Sequence, residues 1–80
     1  MKTWRKRIDR LDDIIMDALN ERFELVKQIG LHKKETGLSV TDANREKQIY
    51  QKSEYYPHSD KIKPVYKTII TTAKNYQEGL

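Results

Sequence analysis

The chain has 80 residues, 35% of them charged and 36% hydrophobic, with a formal net charge of +4. That is room for a single domain, residues 1–80, with a marginal core of its own, and it is too apolar and too patterned for a disordered segment. There is no cysteine, which removes disulfides, thiolate nucleophiles and thiolate metal sites, and His32 and His58 alone do not make a histidine-rich metal site. The longest apolar run, Ile14-Ile15-Met16, is too short for a transmembrane span or the centre of a secretory signal. The expectation is a cytoplasmic protein that engages no membrane and completes its core by oligomerising.

The first predicted helix runs from Lys2 or Thr3 to about Lys34, with no proline and with Gly30 as its one strong helix-weakening residue. Counted at helical spacing, Trp4, Ile8, Leu11, Ile15, Ala18, Arg22, Leu25, Ile29 and Lys33 all fall within about 60° of Arg22 on one face. An apolar stripe of this period faces a core, where an unpaired charge is costly. Two cations on it, Arg22 and Lys33, therefore imply an anion held between helices. Some thirty residues of helix extend about 45 Å, longer than a small domain is wide. Two short helices of the same chain cannot cover such a stripe, so length and pattern predict an intertwined homodimer.

Gly37 supplies the left-handed stop, and Leu38-Ser39-Val40 is a short extended link. Asp42, or Thr41 before it, caps a second helix from Ala43 to about Ser53 or Tyr55, anchored by Ile49 with help from Tyr50 and Tyr56. Tyr56-Pro57-His58-Ser59 is a loop, and a third helix begins between Asp60 and Pro64, because proline suits a first turn. The apolar face of this helix is Ile62, Val65, Tyr66, Ile69, Ile70, Ala73 and Tyr76, with Gln77 on the same side. Helical periodicity continues through the β-prone run Thr68 to Thr72. The class is all-α, with one long and two short helices per chain.

Basic and acidic residues are interleaved, and only Lys2 to Arg10 is locally basic, interrupted by Asp9. That pattern is a solvated helix face rather than a nucleic-acid arm, so no nucleic-acid partner is expected. Arg22, Lys33 and Gln77 break apolar faces, and beside them stands the cluster Asp42, Arg45, Glu46. Each has an ordinary explanation alone: a snorkelling arginine, a lysine at a helix C-terminus, a helix cap, a solvated pair. Together they form a convergent set of cations and hydrogen-bond donors. With no glycine-rich phosphate loop and no HExxH spacing, what remains is catalysis by positioning and electrostatics on a small anion, without metal or cofactor.

The run Arg5-Lys6-Arg7-Ile8-Asp9-Arg10-Leu11-Asp12, then Glu21-Arg22, then Ile29-Gly30-Leu31-His32-Lys33, resembles the all-helical class of chorismate mutases. Val40-Thr41-Asp42-Ala43-Asn44-Arg45-Glu46 is similar to the V-x-D-x-x-R-E block that opens their second helix, and Ile69-Ile70 with Gln77 to the I-I-x(6)-Q signature of their third. The resemblance implies a Claisen rearrangement of chorismate to prephenate, towards phenylalanine and tyrosine, in a homodimer with two sites built from both chains. It implies that Arg22 binds one substrate carboxylate and the partner subunit's Arg5 the other. Lys33 would contact a carboxylate and the ether oxygen of the breaking bond, and Gln77 would donate to that oxygen. Glu46 and the Asp42 backbone amide would hold the ring hydroxyl, with Arg45 supporting this end.

Two positions depart from the family pattern. Ala73 stands where several members place a serine, and the resemblance then implies one side-chain hydrogen bond to substrate fewer than in those members. The link between the second and third helices is also a few residues shorter than in bacterial members. Other readings stay open here: a lyase releasing pyruvate from isochorismate on the same scaffold, or a non-enzymatic helical dimerisation module whose cations form intersubunit salt bridges. Control by an activating partner enzyme, seen in some short members of the family, is open as well.

Overall fold

A computed structural model describes residues 1–80. The chain forms three helices, α1 (Lys2–Thr36), α2 (Ala43–Ser53) and α3 (Ser59–Glu78), and no strand. The all-α, one-long-two-short expectation holds. α1 continues two residues past the expected Lys34 and stops at Gly37, which adopts φ 71° and ψ 18°, a conformation that glycine takes without steric cost. The amides of Gly37 and Leu38 both donate to the Lys33 carbonyl, closing the C-terminal turn around that residue. α2 opens as expected, with Asp42 Oδ1 accepting the Arg45 amide at 3.0 Å.

α3 departs from expectation at its start. Ser59, read from the sequence as loop, is the first helical residue, and Pro64 lies inside the helix rather than in its first turn. The His58 carbonyl accepts from both Lys61 (2.9 Å) and Ile62 (3.0 Å), which closes a turn before the proline is reached. Pro64 lacks the N–H that would bond the Asp60 carbonyl, and both residues are exposed, so water can serve that carbonyl.

α3 packs against both α1 and α2, while α1 and α2 do not pack on each other. The molecule measures 51 × 23 × 15 Å, its long axis matching the roughly 52 Å expected of the 35 residues of α1. Its radius of gyration, 15.2 Å, exceeds the value of about 12 Å expected of a compact domain this size. Only five of the 80 residues are buried: Val26, Gly30, Ser53, Ile70 and Ala73. No helix is long and apolar enough to cross a membrane.

The long stripe of α1 does not face this small core squarely. α3 covers one flank, where Leu19, Arg22, Phe23, Val26, Gly30 and Lys33 are buried or half-buried. On the other flank, and along the whole N-terminal half, Trp4, Ile8, Leu11, Ile15, Leu25 and Ile29 are each at least 50% exposed. Residues 1–18 contain no buried or half-buried side chain at all. Arg22 therefore sits on the border between the covered flank and the bare one.

Candidate active site

The centre of the α1–α3 seam is made of small residues. Gly30 on α1 and Ala73 on α3 are buried beside Val26 and Ile70, and the absence of side-chain bulk lets the two helices approach closely. A β-carbon on Gly30 would stand 2.8 Å from Gln77 Cγ, 2.9 Å from Leu80 Cδ1 and 3.2 Å from Gln77 Cβ, closer than side chains pack, so Gly30 leaves the space that Gln77 and Leu80 fill. From there Gln77 Nε2 donates to the Val26 carbonyl at 3.0 Å, across 51 residues of sequence.

That bond fixes Gln77 relative to the two cations of α1. Val26 lies one turn beyond Arg22 and two turns before Lys33, so the Gln77 amide falls at a level between them. Arg22 is half-buried, and its Nη1 is enclosed without any hydrogen-bond partner. Buried polar nitrogens are nearly always paired, and a guanidinium has donors in excess, so an enclosed and unpartnered Nη1 marks a position for an acceptor, best an anion. Lys33 is half-buried one turn from the end of α1, and its Nζ donates at 3.4 Å to the Val40 carbonyl. A contact that long is weak and is readily exchanged for an anionic acceptor.

The start of α2 forms the other group. The Asp42 side chain is engaged in the cap, while its backbone amide has no acceptor in the chain. Arg45 is exposed. Glu46, half-buried on the same first turn, pairs with Lys74 of α3, Nζ to Oε2 at 3.0 Å. Lys74 is next to Ala73 and three residues before Gln77, so this pair joins the α2 cluster to the helix that carries Gln77.

The chain thus brings Arg22, Ala73 and Gln77 to the α1–α3 seam, holds Lys33 against the Val40 carbonyl of the link that follows α1, and holds Glu46 against α3. It does not bring Arg5 to them. Arg5 is exposed on the bare half of α1, 17 residues from Arg22, about 25 Å along the helix axis. Two open depressions run along α2, and of the candidate residues only Glu46 lines either one. Sequence reasoning missed Lys74 and the seat that Gly30 provides. The signal for Lys74 was its place between Ala73 and Gln77 on the third helix; the signal for Gly30 was a helix-weakening residue one turn from a stripe cation.

Comparison with known proteins matches residues 4–78 to the sequence model of a family described as chorismate mutase type II. The chain is 42% identical over 52 residues to a bifunctional chorismate mutase/prephenate dehydratase of Aquifex aeolicus, a match covering 65% of this chain and 14% of that protein. It is 38% identical over 48 residues to a chorismate mutase of Methanocaldococcus jannaschii, covering 60% of this chain and 48% of that one. The matches therefore span less than half the length of either relative. No solved structure matches the chain at a comparable level.

Proposed function

The chain belongs to the type II chorismate mutase family, and from that premise we propose that it converts chorismate to prephenate at a site built around Arg22, Lys33 and Gln77. The observation that carries this reading is the enclosed, unpartnered Nη1 of Arg22, a cation in want of an anion beside the fixed amide of Gln77. Chorismate presents two carboxylates. Arg22 takes one, and Lys33 leaves the Val40 carbonyl to reach a carboxylate and the ether oxygen. That oxygen gains negative charge as its bond to the ring breaks, so the Lys33 ammonium and the Gln77 amide stabilise the transition state more than the ground state. The rearrangement moves no proton and needs no nucleophile, which suits a site made of cations and hydrogen-bond donors. Glu46 and the free Asp42 amide accept from and donate to the ring hydroxyl, Arg45 supports this end of the pocket, and Ala73 gives the ring room.

The second carboxylate falls to the partner subunit's Arg5. An intertwined homodimer is supported by the six large side chains of the α1 stripe left at least half exposed. Covering them gains about 1 kcal/mol each, several kcal/mol per chain. A second copy of the chain offers the same stripe in return, as two-fold symmetry requires. Within such a dimer residues 1–80 act as one domain with two equivalent sites. Purified protein mixed with chorismate should show its loss matched by prephenate, and pyruvate release from isochorismate in a parallel reaction would instead favour a lyase.

A further inference from the structure

Three ion pairs hold side chains of this molecule, and they differ sharply in exposure. Lys61–Asp60 is mostly in water, with side chains 81% and 72% exposed, and Lys63–Glu54 is intermediate. Lys74–Glu46 is the most enclosed, with side chains 30% and 23% exposed, and it crosses from α3 to α2. An exposed pair contributes little, but a pair drawn this far from water depends on its partner for compensation. Lys74 is the one protein partner of the Glu46 carboxylate and takes its Oε2, leaving Oε1 with no donor from the chain.

We propose that Lys74 is a positioning residue, which pins Glu46 by Oε2 so that Oε1 faces the site as an acceptor for the substrate's ring hydroxyl. This assignment rests on the chorismate mutase reading above. An unpinned glutamate on the first turn of α2 has three rotatable bonds and open water on one side, and ordering it costs free energy each time substrate binds. Lys74 meets that cost before substrate arrives. Its ammonium points to the carboxylate rather than to substrate, so its contribution appears in binding, and only for a substrate that carries the hydroxyl.

The test uses the full chain with chorismate and with an analogue lacking the ring hydroxyl. Lys74→Met should raise KM for chorismate about three- to tenfold with kcat within about twofold, the effect of losing one partly buried ion pair. Lys74→Arg should restore KM, because a guanidinium can reach the same oxygen. Lys74→Gln serves as a second variant should the methionine chain fail to fold by circular dichroism. With the hydroxyl-free analogue, wild type and variant should bind equally. Unchanged KM for chorismate overturns the assignment, as does an equal penalty on the analogue, which would mean direct contact or a merely structural role. Absence of chorismate turnover by the wild type would overturn the underlying reading, and the assignment with it.

Discussion

The side chain of Gln77 occupies the place where a β-carbon on Gly30 would be, 2.8 Å from its Cγ, and from that seat it donates to the Val26 carbonyl. Leu80 Cδ1, 2.9 Å away, is a flexible side-chain end that can turn aside, but Gln77 Cβ, at 3.2 Å, moves only with the helix that carries it, and Cγ yields only by rotation about χ1, which takes the amide out of its seat. Alanine improves helix propensity at Gly30 by about 1 kcal/mol, but here it must push α3 outward. Gly30→Ala is expected to keep α1 helical by circular dichroism while turnover falls about tenfold or more, because Gln77 leaves its level between Arg22 and Lys33. Turnover equal to wild type would show that the seat does not set the site.

Arg22 should trade stability for binding. Its Nη1 is enclosed without a partner in the chain, an arrangement that costs free energy. Arg22→Met keeps most of the apolar stem and removes the charge. The expected outcome is an unchanged or higher melting temperature together with chorismate binding weakened at least about tenfold. Calorimetric titration and a thermal melt measure the two effects separately.

The cap on α2 has a more ordinary role, and its loss should be visible in stability. Asp42→Ala orphans the Arg45 amide and costs about 1 kcal/mol. For a domain of this size that lowers the melting temperature by about 4–8 °C, while Asp42→Asn, which can still accept, should lose far less.

The proposed dimer rests on the bare face of α1 and is tested by mass. Sedimentation equilibrium of the wild type should give twice the 9.5 kDa mass of the chain. Leu11→Glu places a charge in the middle of the exposed stripe and should yield a monomer with reduced helicity. If the variant remains a dimer with unchanged helicity, the stripe is not the interface.

Elements governed by one local rule were legible in the sequence. Asp42 and Gly37 are a cap and a stop by their own chemistry, and both stand at the ends where that chemistry is observed. Gln77 follows the period of its own helix onto the α1-facing side. What periodicity does not carry is which of two flanks a neighbour will cover, and so the stripe through Arg22 proved to be a border rather than the middle of a seam within one chain. The start of α3 was misplaced because Pro64 favours a first turn, whereas the turn at His58 is closed by backbone bonds with no side-chain cap to announce it. Lys74 was missed because its partner Glu46 lies on a different helix, and only the α2–α3 crossing brings the two together. Arg5 stays exposed on the bare half of α1, and its proposed role in a partner's site is not something the pattern of one helix can place.

The central claim is that a cation on α1 stabilises charge developing on a substrate oxygen, and Lys33 tests it most directly. Its side chain spans only a weak bond to Val40, so Lys33→Ala should fold and assemble like the wild type. Chorismate loss and prephenate formation, followed in both proteins without added metal or cofactor, should show wild-type conversion and a fall in kcat of about 10²–10³ in the variant. A wild type that forms no prephenate, or a variant that matches it, would contradict the account.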